Sequence, residues 1–250
     1  MPHPPKIPGR YGVDAPWVPV LWLVLGVMFL GVGIANTVGS PFPGIRAIWQ
    51  SWAYVMSVVG FVGSGLYLHT SLRGKFGVWP ELLDRTELRG DEQALDLGCG
   101  RGAVTVSVAL RLPRGRVTGI DLWRSIDQSG NNEQATRANL ELNKVADRVR
   151  LTTGDMTALP FDDRAFDLVT ASLAIHNVPS AAGREVAVRE AVRVLKPGGT
   201  MLIVDVFKTR EYVRTLRTMG IIPVRNVSAG WRMWWTGPWM PTRLITVTMP

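Results

Sequence analysis

The chain has 250 residues, and 28 Lys and Arg against 20 Asp and Glu give it a net charge of +8 at neutral pH. Charged residues make up only 19% of the total, and the single cysteine, Cys99, excludes an internal disulfide and so implies no oxidising compartment. No lysine- or arginine-rich block carries the excess charge, which argues against nucleic acid as a partner and leaves an anionic lipid leaflet as the alternative.

The first 75 residues read as a membrane anchor. From Ala15 to Ile45 there is no ionisable side chain, and from Ala47 to Leu72 His69 is the one group that titrates near neutrality. A helix of 18–20 residues is roughly 27–30 Å long, about the hydrocarbon thickness of a bilayer. Between the two runs, "NTVGSPFPGIR" would stop a helix at Pro41 and Pro43. The pattern predicts a transmembrane helical hairpin with spans at about residues 17–36 and 47–70. Glycines at 26, 31, 33, 60, 63 and 65 suit close packing of two helices. A cleaved signal peptide would have a shorter apolar region and a small-residue cleavage site. Helices buried in a soluble protein, or lying at an interface, are the remaining alternative. Lys6 and Arg10 precede the first run, Arg73 and Lys75 follow the second, and Arg46 alone lies between. That cation bias places both ends, and the domain that follows, on the cytoplasmic side.

Residues 76–250 show a different rhythm, in which short apolar strands alternate with helical patterns. "QALDLG", Ala103–Leu112 and "RVTGID" come first, then Asn132–Asn143, "RVRLTTGD", "FDLVTAS", Arg184–Leu195 and "TMLIVDVF". Such alternation predicts a parallel sheet with helices on both faces and ligand-binding loops along one edge. Ile222–Val227 and Leu244–Met249 are expected to add two final strands around a Trp-rich connection.

The chemistry gathers at the strand ends. In "LDLGCGRG" the glycines at 98, 100 and 102 allow a tight strand-to-helix turn and close approach of a ligand. The turn alone also satisfies a dinucleotide fingerprint through Gly98, Gly100 and Ala103, and Asp121 at the next strand end fits a ribose acceptor in either reading. Asp96 weighs against a dinucleotide, because a carboxylate beside the turn repels a pyrophosphate. It suits S-adenosylmethionine, which has no phosphate and whose amino end an acid can hold. Asp155 and Met156 in "GDMTALPF" can meet the adenine amine and a ring nitrogen.

Taken in order, "LDLGCGRG", "GIDLW", "GDMTALPFDDRAFDLV", "SLAIHNV" and "VLKPGG" resemble the class I S-adenosylmethionine-dependent methyltransferases, in the group that includes ubiquinone and menaquinone methylases. The resemblance covers residues 90–205. It implies a Rossmann-like seven-stranded sheet with the last strand antiparallel, S-adenosylmethionine as cofactor, and no metal. By that similarity Gly98, Gly100, Asp121, Asp155 and Met156 carry over as cofactor contacts; Leu122 and Ser172, at neighbouring strand ends, are counted with them. Two features depart from the commonest pattern. One is the hairpin; the other is the long "LWRSIDQSGNN", where Gln128 and Ser129 border the adenine or Ser129 caps the next helix.

For the transfer itself, a general base is needed only if the acceptor must lose a proton, and His176 is the expected base or, with Asn177, a substrate contact. Trp231, Trp234 and Trp235 either wall the acceptor pocket or pack the sheet. A membrane hairpin in front of such a domain points to a lipophilic acceptor: a quinol, a phenolic lipid or a heterocycle. A nicotinamide-dependent oxidoreductase and a non-catalytic membrane scaffold are the competing classes. Every cofactor motif lies beyond Phe76, so the domain is expected to bind its cofactor without the hairpin. The oligomeric state is left open.

Overall fold

The computed structural model describes residues 7–39 and 43–250, with side chains left out from 38 to 46. Lys6, Pro41 and the side chains of Pro43 and Arg46 therefore lie outside the described residues. Two helices come first, α1 (Trp17–Gly39) and α2 (Pro43–His69). Each is long and apolar enough to cross a membrane, and only 17% of the apolar window of α1 is buried. They pack against each other where their glycines remove the side-chain barrier. A Cβ on Gly60 would stand 2.6 Å from the Gly26 Cα, and one on Gly63 would strike the Trp22 ring. Gly33 meets Tyr54 in the same way, whereas Gly31 and Gly65 face open space.

The second helix ends at His69, close to the expected boundary, but the helical path does not stop there. A single π-helical turn (Thr70–Gly74) carries it directly into α3 (Lys75–Asp84). From α2 to the end of α3 the chain is thus a continuous helix with a bulge, a stiffer connection than a loop of the same length. At the bulge the Thr70 hydroxyl donates to the Trp234 carbonyl at 2.6 Å. Trp79 of α3 is buried in the core formed with Val104, Val108 and Leu202.

The remainder is a seven-stranded sheet in the order β3-β2-β1-β4-β5-β7-β6. Its strands are β1 (Gln93–Leu97), β2 (Arg116–Asp121), β3 (Val149–Thr153), β4 (Phe166–Ser172), β5 (Leu195–Asp205), β6 (Arg225–Ser228) and β7 (Arg243–Thr248). The first five pair in parallel and β7 is antiparallel to both of its neighbours, as the resemblance implies. Central strands β1 and β4 are buried almost throughout, because helices cover both faces. Helices α4 (Ala103–Ala109), α5 (Glu133–Leu142), α6 (Ala181–Arg193) and α7 (Thr209–Thr218) complete the layers. Asn132, and not Ser129, caps α5 by accepting from the Ala135 amide. Two boundaries moved for local reasons. Capped by Ser180, α6 starts at Ala181, three residues before the expected Arg184. β6 starts later than the apolar pattern, at Arg225, because Pro223 has no amide to offer the ladder.

Gly60→Leu should force α1 and α2 apart at an overpacking cost of roughly 1–3 kcal/mol. Thermal melting in detergent, followed by circular dichroism, should fall by about 2–4 °C per kcal/mol. Gly65→Leu, with open space around it, should melt like the unaltered protein.

Candidate functional site

A cleft of about 310 Å³ opens at the carboxyl edge of the sheet. Its floor is the turn between β1 and α4, where Gly98 and Gly100 have φ of 65° and 51°, a region that favours glycine. A Cβ at Gly98 would lie 2.4 Å from that of Ala174, and one at Gly100 would lie 2.5 Å from Gln128 Oε1. Every residue assigned to the cofactor from sequence lines this one cleft: Asp96, Gly98, Gly100, Asp121, Leu122, Asp155, Met156 and Ser172. Asn177 lines it as well.

The acids differ in how they are held. The Asp121 carboxylate accepts from the Gly100 amide at 2.8 Å, the Trp123 amide at 2.6 Å and Asn131 Nδ2 at 3.1 Å. Asn131 is buried, lines the cleft, and its Oδ1 has no partner. A buried acceptor left free in this way fits a ribose hydroxyl beside Asp121. Asp155 caps Thr157 through Oδ1, and its other oxygen accepts no hydrogen bond among the described residues. Asp96 is fully enclosed and accepts from the Thr105 and Thr170 hydroxyls at 2.6 and 2.8 Å. Burial lifts its carboxyl to about 6 against the pull of those hydrogen bonds.

These contacts decide between the two ligand classes that the glycine turn alone left open. A pyrophosphate needs the free amides of the turn, yet the Gly100 amide is occupied by Asp121 and the Arg101 amide donates to Gln128 Oε1 at 2.8 Å. Carboxylates around the opening would repel it further. A phosphate-free nucleoside with a cationic amino end fits the same donor set.

His176 and the tryptophans stand apart from the cleft wall. His176 Nδ1 is 2.5 Å from Asp205 Oδ1, and Asp205, fully buried at the end of β5, also accepts from the His176 amide and the Tyr212 hydroxyl. Burial works against the charged imidazole, but the Asp205 carboxylate, helped by Asp127 and Asp14, holds its pKa above the ordinary histidine value. Trp235 is buried against Tyr67 at 4.8 Å, and Trp231 stacks on His69 at 5.5 Å. The Trp234 carbonyl takes the Thr70 hydroxyl. The Trp-rich connection therefore clamps the end of α2 to the domain and contributes no cleft wall.

The sequence reading passed over several residues that the fold brings to the cleft. Asp14, Lys75, Phe76 and Trp79 all line it, and the Trp79 indole donates to the Ser172 hydroxyl at 2.8 Å. Residues 10–15 cross the "QSGNN" loop as a strap: Val13 and Ser129 exchange hydrogen bonds, the Ala15 amide donates to the Asp127 carbonyl, and Asn139 brackets Arg10. The cofactor motifs lie beyond Phe76, yet Asp14 and Lys75, which precede them, also belong to the wall. The available signal was Asp14 itself, the one acid among the first 80 residues, which calls for a partner.

Two measurements check these assignments. Asp121→Ala removes a hydroxyl acceptor at a cost of roughly 1–3 kcal/mol, so calorimetry should show S-adenosylhomocysteine binding about ten- to a hundredfold weaker. The ligand's ammonium favours ionised Asp96, so affinity is full above its pKa and declines as the carboxyl protonates. Between about pH 7 and pH 5 it should fall about tenfold, and in Asp96→Asn that pH dependence should vanish.

A family model described as a methyltransferase domain matches residues 95–203. A demethylmenaquinone methyltransferase of Staphylococcus aureus is 36% identical over 119 residues, 47% of this chain and 44% of that protein. The chain thus spans under half the length of the curated relatives it matches. Among solved structures, geranyl diphosphate C-methyltransferase from Streptomyces coelicolor A3(2), in complex with Mg2+, geranyl diphosphate and S-adenosyl-L-homocysteine, aligns with a TM-score of 0.56 at 18% identity. That alignment covers 72% of this chain and 77% of that one. A SAM-dependent methyltransferase from Aquifex aeolicus aligns with a TM-score of 0.54 at 18% identity, over 68% of this chain and 89% of that one. Likeness at this identity speaks for the fold, and the matched segment speaks for the family. Together with the strand order and the occupied glycine turn, they identify the matched segment, residues 95–203, as a methyltransferase domain of the class I, S-adenosylmethionine-dependent fold.

Proposed function

We propose that this protein is a membrane-anchored methyltransferase that passes the methyl group of S-adenosylmethionine to a lipophilic small molecule, a quinol, phenolic lipid or heterocycle. One observation carries the reading: the apolar hairpin and the cleft share the same edge of the sheet. The strap before α1 and the bulge after α2 both pack there, so both ends of the hairpin lie on the domain's side. Large apolar side chains such as Val20, Val24, Val27, Val55, Val58 and Val62 are exposed along the helices, a surface that needs lipid to cover it. The name of the Staphylococcus aureus relative, a demethylmenaquinone methyltransferase, supports an acceptor of the same lipophilic class. The domain is assigned to the cytoplasmic side by the cations that flank the hairpin, Arg10 and Arg73, while Lys75 is taken up in an internal ion pair.

S-adenosylmethionine supplies a methyl group on a positively charged sulfur, ready for in-line displacement. The chain's task is to align the acceptor and to exclude water. Asp121, Asn131, Asp155 and Asp96 hold the nucleoside and the amino end, and Phe76, Trp79 and Val104 close the apolar side of the cleft. His176 lies beside the cleft residue Asn177. With Asp205 fixing Nδ1, Nε2 is left to take a proton from an acceptor hydroxyl.

Membranes containing the full chain, incubated with methyl-labelled S-adenosylmethionine and then extracted, should show the label in an organic-soluble molecule, and Asp121→Ala should abolish that transfer. Label confined to water-soluble products would overturn the lipophilic acceptor.

A further inference from the structure

We propose that Lys75 binds the carboxylate at the amino-acid end of the methyl donor, so that the membrane anchor itself completes the donor site. The inference rests on the cleft being the donor site. Lys75 opens α3 directly after the π-helical turn that ends the second apolar helix. It is only 5% exposed, yet it lines the cleft together with Asp96, Ser107 and Trp79. Its Nζ donates to both oxygens of Asp14, at 3.0 and 2.8 Å, and to no other acceptor among the described residues. An ammonium has three N–H groups, so one remains without a hydrogen-bond acceptor among the described residues, with the Phe76 ring centroid 5.5 Å from Nζ beside it. A buried charged donor left without an acceptor is costly, and a carboxylate entering the cleft would supply that acceptor.

Charge in the cleft leaves few other places for that carboxylate. Asp14, Asp96, Asp121, Asp127 and Asp155 line it, against two cations among the described residues, Lys75 and Arg124. Arg124 is exposed and follows β2, on the side where Asp121 faces the ribose. Lys75 is enclosed and lines the same cleft as Asp96, which takes the donor's ammonium. A zwitterion laid between Asp96 and Lys75 meets the matching charge at each end. Asp14 is a positioning residue: the Ser71 hydroxyl donates to its carboxylate at 2.8 Å and Gln128 Nε2 does so at 3.3 Å, which joins the pair to the glycine turn through the Arg101 amide.

The test compares two ligands on the full-length protein in detergent. S-adenosylhomocysteine carries the amino-acid end, and 5′-methylthioadenosine keeps the nucleoside without it. Lys75→Gln should weaken S-adenosylhomocysteine about ten- to a hundredfold by calorimetry while leaving 5′-methylthioadenosine within about twofold. Lys75→Arg should recover most of the loss. Equal weakening of both ligands would reduce Lys75 to a structural role, and unchanged S-adenosylhomocysteine affinity would remove it from the site; either result overturns the proposal. Failure of the unaltered protein to bind either ligand would overturn the donor-site reading of the cleft, and this inference with it.

Discussion

The ion pair between Asp14 and Lys75 joins three parts of the chain that are distant in sequence. Its Nζ–Oδ2 distance is 2.8 Å, and the side chains are 6% and 16% exposed for lysine and aspartate. Asp14 brings the strap that precedes the first apolar helix, and Lys75 brings the end of the second. Ser71 in the π-helical turn and Gln128 in the long loop after β2 both donate to the same carboxylate. The Tyr67 hydroxyl meets the Asp14 carbonyl at 3.0 Å. Removing one partner of such a pair leaves an uncompensated buried charge, so the contact enforces a register even where its net contribution to stability is small. That register sets where the hairpin stands relative to the cleft.

The continuous helix from α2 through the π-helical turn into α3 transmits this register. A flexible linker would let the domain take many orientations, whereas a helix bulged at one turn and clamped to the Trp-rich connection allows few. Trp231 on His69, Trp235 on Tyr67 and Thr70 on the Trp234 carbonyl are the contacts that fix it. The same edge also holds backbone strain. Trp123, Leu173 and Phe207, each just past the end of a parallel strand, adopt φ of 57°, 54° and 58°. Bulky residues rarely sit in this left-handed region, which carries a cost of order 1–3 kcal/mol each.

Within the cleft, hydrogen bonds among protein groups decide the ligand class. Asp121 and Gln128 occupy the backbone amides of the glycine turn, and Asn131 is held by Asp121 with its own oxygen free. The site is thereby unsuited to phosphate and prepared for hydroxyls. His176 belongs to a neighbouring network whose centre is the buried Asp205, so its orientation is set by β5 and α7 and not by the cleft.

The local signals in the sequence were strong wherever a short stretch carries its own physics. Alternating apolar runs determined the strands, the glycines at 98 and 100 determined the turn, and acids placed at successive strand ends determined that one edge would bind the cofactor. Two uncharged runs determined a pair of long apolar helices, and four of six glycines turned out to lie at their contact. What remained hidden was every contact between segments far apart in the chain. Asp14 is the one acid among the first 80 residues and nothing near it in sequence names its partner, and Lys75 looked like one more orienting charge. The tryptophans looked like a pocket wall because their spacing describes a surface without saying what covers it. Their partners, Tyr67, His69 and Thr70, come from the end of α2 and the turn after it, far away in the chain, and no periodicity encodes such a meeting. The sequence by itself determined the elements, the fold and the cofactor. The tertiary structure alone decided that the chain at both ends of the apolar helix pair forms part of the cleft, because a buried charge acquires its partner only when the chain closes around it.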